Sequence, residues 1–374
     1  MTGKQRKHAV IVGAGIGGVT CALALARRGW AVTLLERSEN LGEIGSGISI
    51  WPKAMEVLED LGVAEQLRGE YQLAGQAGLR RPDGRWLVTL DGTTMSGPTM
   101  VHRARLHEAL VAGLGDVVVD TGITVAGVRQ GDGGAAVLTT DGTEVRGDIV
   151  IGADGLRSVV RGALHPGRSD VRYAGYTAYR GVTPEPPAAA TGTGGETWGR
   201  GIRFGYLPLV DGRTYWYATA NAEEGDIESD HHADVLRLLD GWHDPVPSLV
   251  AGTPTAAVLR NDVYDLRLPL APFSRGHVAL LGDAAHAMTP NLGRGACAAI
   301  EAAAALARLL NDHRDTPSAL VAYDRERRPA TTRLIRRSRW VGALGQTDTT
   351  VAIGIRDAVL GLTGRLVRLT TRRI

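Results

Sequence analysis

The 374-residue chain has little of what several protein classes require. Its two cysteines, Cys21 and Cys297, are too few for a disulfide scaffold and have no metal-type spacing. They read as buried thiols in a reducing compartment. Lysine stands only at positions 4, 7 and 53, so arginine carries almost all of the positive charge. The net charge is +2 and the pI about 8.6. With no basic–aromatic run, that balance argues against a nucleic-acid binder built on a positive face. No apolar run approaches the ~20 residues of a membrane span. The basic start TGKQRKH leads straight into an apolar strand, not into a signal-peptide core. A soluble cytoplasmic protein without stable membrane insertion is the expectation.

What is present begins at His8 to Arg37, HAVIVGAGIGGVTCALALARRGWAVTLLER. An apolar strand meets a glycine turn, a helix of small and aliphatic residues follows, and a second strand ends on Glu36-Arg37. Strand, G-x-G-x-x-G, helix, strand and acid in that order make a dinucleotide fold. Gly13 permits the tight turn, Gly15 lets backbone approach a pyrophosphate, and Gly18 lets helix and strand pack closely. Ile16 and Gly17 open the helix, whose free N–H groups favour phosphate. Glu36 stands where a carboxylate accepts from ribose hydroxyls. This stretch alone does not separate FAD from NAD.

Further along, Asn40 to Ser49 is a loop punctuated by Gly42, Gly45 and Gly47, which suggests backbone passing a flat or bulky group. Trp51 to Leu61 reads as a short helix with Pro52 in its first turn. Gln72 to Leu90 alternates around Pro82-Asp83-Gly84 as a hairpin. Val101 to Leu114 is helical, and 117 to 140 gives short strands. The segment GDIVIGADGLRSVVR (147–161) repeats the strand-to-helix logic, ending its strand at Asp154-Gly155. Residues 171 to 220 read as strands and hold half of the chain's aromatic residues, from Tyr173 to Tyr217. Core packing accounts for most of them, and a few remain available to line a pocket for a planar ligand. A third strand ends at Gly282-Asp283. The polar loop AAHAMTPNLGRG and a long alanine-rich helix from Ala296 follow, then a helical, arginine-rich 317 to 343. The tail to Ile374 sets an apolar face beside Arg356, Arg365, Arg368, Arg372 and Arg373, and reads as packing against the domain, a frayed end, or contact with an anionic membrane surface.

Three motifs in order, Gly13-x-Gly15-x-x-Gly18, Asp154-Gly155 and Gly282-Asp283, resemble the class A flavoprotein monooxygenases, the family typified by para-hydroxybenzoate hydroxylase. The likeness runs from about residue 8 to about residue 330. It implies an α/β fold: a glutathione-reductase-like Rossmann FAD-binding domain (1–71, 101–165 and 271–330) with an inserted mixed β-sheet substrate domain (72–100 and 166–270). C-terminal helices (331–374) complete it. It implies tightly bound FAD, NAD(P)H as a transient co-substrate, and one oxygen atom of O2 transferred through a flavin hydroperoxide to an aromatic or polycyclic small molecule, the other leaving as water. A monomer or weak homodimer is expected.

By the same resemblance Glu36 and Arg37 lie at the adenosine ribose, and Gly47 and Arg103 approach the flavin and pyrophosphate. Asp154 and Gly155 serve the shared FAD and NAD(P)H motif, and Gly282 and Asp283 the ribityl hydroxyls. Pro290, Gly293, Gly295 and Ala296 lie against the isoalloxazine. Arg180 matches an arginine of the sheet region. Tyr206, Tyr215 and Tyr217 are candidates for orienting or deprotonating a phenolic substrate, with Tyr215 and Tyr217 on one strand face. His286 reads first as a loop residue bonded to backbone and second as a base. The family's usual glutamine is Arg294 here, and its acid after the helix glutamate is Ala302. Alkene epoxidation, or flavin binding without turnover, remains open as an alternative. The absence of a second G-x-G-x-x-G leaves NAD(P)H to dock in a groove, and no metal constellation is visible.

Overall fold

A computed structural model describes residues 6–42, 46–67, 76–91, 97–168, 170–209, 211–225 and 230–371. Gly45, residues 72–75 of the expected hairpin, and Arg372 and Arg373 lie outside them. The first sheet has six strands in the order Ser274–Arg275, Val278–Leu280, Ile149–Gly152, His8–Val12 (β1), Ala31–Leu35 (β2) and Val118–Asp120. All neighbours run parallel except the outer pair at Ser274–Arg275. Parallel sheets are covered on both faces, which is why Ala9 to Val12 and Ile149 to Gly152 are uninterrupted runs of buried residues. Helix α1 (Ile16–Ala26) is apolar on all sides for a like reason. One side meets the sheet, the other the helix Gly295–Asp312, and a Cβ on Gly17 would stand only 3.2 Å from the Ala299 methyl. Alanine along that second helix permits the close approach.

The second sheet has seven strands: Leu259–Leu266, Val171–Thr183, Thr214–Asn221, Ile202–Pro208, Gly195–Trp198, Gln76–Arg80 and Trp86–Asp91. It is mixed, because Gly195–Trp198 pairs parallel with Gln76–Arg80. Alternation divides its two faces. Tyr179, Phe204, Tyr206 and Trp216 point to the back, where the helices His231–Leu238 and Val246–Ala251 bury them. Phe204 and Trp216 stack there with ring centroids 5.7 Å apart. Tyr215 and Tyr217 point to the front, with Met100 and Leu209.

The rings are seated on glycines. A Cβ on Gly47, Gly181 or Gly205 would stand 2.4 to 2.5 Å from Tyr215, Trp216 or Tyr217 respectively. The bulky group expected beside the Gly42–Gly47 loop is therefore, at Gly47, a tyrosine of the protein itself. Gly47–Ile50 forms a two-stranded sheet with Thr99–His102, so residues 99 to 102 are a strand and helix begins only at Arg103. The boundary expected at 330 falls inside one 30-residue helix, Thr316–Gly345, which continues through Pro329.

Candidate active site

Strands β1, β2, Ile149–Gly152 and Val278–Leu280 are parallel neighbours, so their C-terminal ends share one edge. The turns that follow carry Gly13 to Gly18, Glu36, Asp154-Gly155 and Gly282-Asp283. An open α/β sheet binds its ligand at this edge. At Gly13 φ is +100°, and a Cβ there would lie 2.5 Å from the Ala153 carbonyl oxygen. A Cβ on Gly18 would stand 1.9 Å from the Gly13 carbonyl oxygen. Helix α1 starts after Gly15 with no side chain capping its first amides, and Gly295–Asp312 is likewise uncapped at Arg294. Two helix N-termini thus keep donors for an anionic or carbonyl-bearing ligand.

The acids around this edge differ in what holds them. Glu36 accepts from the Ala14 amide at 2.7 Å and from the Ser38 amide at 2.9 Å. Burial pushes its pKa up, but these bonds and neighbouring Arg37 outweigh burial, and the net direction is down. Arg37 is exposed. Asp154 is turned inward on its own loop, accepting from the Ser158 hydroxyl at 2.5 Å and the Val160 amide at 3.1 Å. Asp283 opens to the cleft but is walled by protein, which pushes its carboxyl up against the pull of Arg103 and Arg161.

Two residues that sequence reasoning passed over brace the turns. His107 Nε2 lies 2.6 Å from the Ala14 carbonyl. Arg161 donates to the Ala284 carbonyl at 3.0 Å and to the Leu156 carbonyl at 2.5 Å, tying the Asp154 loop to the Asp283 loop. Arg161 lay within the quoted motif, whereas nothing local in sequence marks His107.

Opposite stands the front of the second sheet. Tyr217 donates to Glu196, and so does the Trp198 indole. Arg203, fully buried, donates to Asn291 of the Pro290–Leu292 turn and, at 3.2 Å, to Gln346, which joins the sheet to that turn. Its Nη1 has no hydrogen-bond acceptor and lies 3.8 Å from Glu196. Pro290 is exposed, and Gly293 turns left-handed (φ +57°) beside Ser49 into the helix opening at Gly295 and Ala296. Arg294 neither faces the cleft as a bare charge nor points to solvent. It covers the Trp51 ring at 5.3 Å and pairs at 3.0 Å with Glu301, whose other oxygen meets Arg327 at 3.3 Å. The Nε atoms of Trp51 (Nε1) and Arg294 are both buried without an acceptor.

The sheet divides the expected catalytic residues. Tyr206 is on the back face, bonded to Thr193 at 3.0 Å and in register with Trp216, so it cannot meet a ligand on the front. His286 is fully buried against Phe273, with neither ring nitrogen bonded. Burial lowers its pKa to about 3, so the ring is a neutral core group, and the backbone bond expected of its side chain is absent too. Tyr215 and Tyr217 hold the front, but burial raises both pKa values, Tyr217 well above 10 beside Glu196. A shift in that direction disfavours either phenol as a base. Arg180 also faces the front, 3.2 Å from Asn261 at the sheet's margin.

Known proteins agree with this geometry. The FAD binding domain family matches residues 6–338. Aurachin C monooxygenase/isomerase of Stigmatella aurantiaca is 38% identical, covering 94% of this chain and 93% of that protein. The 2-heptyl-3-hydroxy-4(1H)-quinolone synthase of Pseudomonas aeruginosa is 33% identical over 97% of this chain and 95% of its own. Among solved structures, Klebsiella pneumoniae HpxO complexed with FAD and uric acid superposes with a TM-score of 0.85 at 28% identity, covering 95% and 92% of the two chains. The chain belongs to the class A FAD-dependent aromatic monooxygenases. It is a flavoprotein enzyme whose cofactor is FAD and which oxygenates an aromatic small molecule.

Proposed function

We propose that the substrate is a bicyclic, nitrogen-containing aromatic of the quinolone kind, oxygenated at the front of the second sheet with NAD(P)H as the transient reductant. The observation that carries this reading is end-to-end similarity to two relatives named for aurachin C and a hydroxyquinolone. FAD, which would be held by the glycine turn, Glu36, Asp283 and the helix opening at Gly295, supplies the redox chemistry that activates oxygen when bound. Arg37, Asp154 and Gly155 support the turns around it, and Arg103 balances Asp283.

The chain's own residues position and desolvate. Tyr217 and Leu207 offer a half-apolar wall to a fused ring, with Tyr215, Leu209 and Met100 buried behind them. Arg203 lies buried behind this wall, its Nη1 covered by protein and 3.8 Å from the carboxylate of Glu196. Glu196 keeps that guanidinium and the Tyr217 hydroxyl in place. Pro290 and the Gly293 turn close the opposite side, and Arg180 marks the margin. Excluding water at this wall protects the activated oxygen until it is transferred.

The test is NAD(P)H oxidation by the purified yellow protein over a panel of 4-quinolones, 2-alkylquinolines, simple phenols, urate and an isolated alkene. A quinolone should accelerate oxidation, lower peroxide release and gain one oxygen in its mass. Stimulation confined to phenols or urate would refute the substrate class, and turnover of the alkene alone would move the reading to epoxidation.

A further inference from the structure

The last helix, Thr350–Thr371, is amphipathic in the wrong sense for a helix packed on a protein. Its inward side is charged. Buried Arg356 donates to the Gly199 carbonyl at 3.2 Å, lies over the Trp198 ring at 5.6 Å, and bonds Asp357 at 2.9 Å. Asp357 in turn meets Arg81 at 3.0 Å, and a Cβ on Gly364 would lie 2.5 Å from the Leu87 carbonyl. The helix is therefore fastened by polar contacts and a close backbone approach to the hairpin edge of the second sheet.

The outward side is aliphatic. Val351, Ile355, Val359 and Leu362 are 75%, 62%, 57% and 61% exposed. Spacings of four, four and three place them on one stripe of the helix. A continuous apolar stripe left in water marks a contact surface. In sequence, Ala358 to Ile374 holds four arginines and no acid.

We propose that this helix lies in the surface of an anionic phospholipid bilayer, its stripe among the upper acyl chains. That composition, aliphatic on one face and cationic at one end, suits interfacial binding. The helix lies on the bilayer without crossing it, since no helix among the described residues is long and apolar enough to span. A second copy of the same stripe would offer aliphatics but no acid from Ala358 onward, whereas an anionic lipid surface answers both features.

The experiment is flotation of the full-length FAD-loaded protein with vesicles of phosphatidylglycerol and phosphatidylcholine, and with phosphatidylcholine alone. The protein should float with the anionic vesicles, less so at high salt. V351S/I355S/V359S/L362S should weaken partitioning about tenfold or more while keeping its flavin content and melting temperature, because those side chains are already in water. Failure to float with anionic vesicles would overturn the proposal, as would equal flotation of the serine variant. A dimer in sedimentation that the serine variant dissolves, without vesicle binding, would assign the stripe to a second copy instead.

Discussion

Replacing Gly18 by alanine tests the cofactor site at its tightest contact. The added methyl would stand 1.9 Å from the Gly13 carbonyl oxygen and 3.3 Å from the Ala153 methyl. Relief requires the start of α1 to move about 1 Å away from β1, since nonbonded carbon and oxygen rarely approach much below ~3 Å. The turn cannot yield alone. The Gly13 amide donates to the Leu35 carbonyl at 2.7 Å, the Ala14 amide to Glu36 at 2.7 Å, and the Ala14 carbonyl faces His107 at 2.6 Å. Overpacking of this kind costs about 1–3 kcal/mol. It acts on the amides proposed to meet the pyrophosphate, so most of it should appear in FAD affinity, a loss of about 5- to 150-fold. Quenching of FAD fluorescence on titration into apo-protein measures the affinity, and the ratio of absorbance at the flavin and protein bands measures occupancy. A G18A protein that purifies with full flavin and binds FAD within threefold of the parent would show that these turns do not hold the pyrophosphate.

Glu196→Gln would leave Arg203, buried to 1% exposure, facing a neutral partner and weaken the anchor of Tyr217. Stability should fall by about 1–3 kcal/mol, less than the loss of a wholly buried pair because Glu196 is 29% exposed; thermal unfolding checks this, and an unchanged midpoint refutes it. His286 supplies a pH signature. Its folded pKa of about 3 lies below the ordinary 6.5, so the unfolded chain binds more protons between those values and stability is lost as pH falls below 6.5. The slope approaches about 1.4 kcal/mol per pH unit, and His286→Phe should flatten the decline in melting temperature between about pH 6.5 and 5. Glu36 acts in the same direction at lower pH. Its depressed carboxyl contributes stability above about 4.5 that disappears as pH falls through its folded value, so an E36Q protein should lose less on acidification there.

The cofactor half was legible because its constraints are local. A turn at φ +100° with no room for a Cβ demands glycine at Gly13, and the Gly13 carbonyl in turn demands it at Gly18. Both demands are written within six consecutive residues, and strand, helix and acid follow at fixed distances. The substrate half obeys pairings that sequence order hides. Trp216 and Tyr206 share the back face only because Thr214–Asn221 and Ile202–Pro208 pair in that register. One residue's slip would have sent Tyr206 to the front. His286 misleads for a similar reason: it stands in the cofactor loop, but the four-residue helix Asp283–His286 turns its ring onto Phe273.

The residues that join the halves were least legible of all. Arg203, Asn291 and Gln346 lie far apart in the chain, and each is unremarked in its own segment. Together they bind the front of the sheet to the Pro290–Leu292 turn and to the end of the helix Thr316–Gly345. Their partnership has a structural consequence. A buried guanidinium with two of its three nitrogens hydrogen-bonded and the third beside Glu196 is held in one orientation, which fixes the sheet and the turn relative to one another. The same bonds couple the front of the sheet to that turn, so a substitution at Arg203 acts on both.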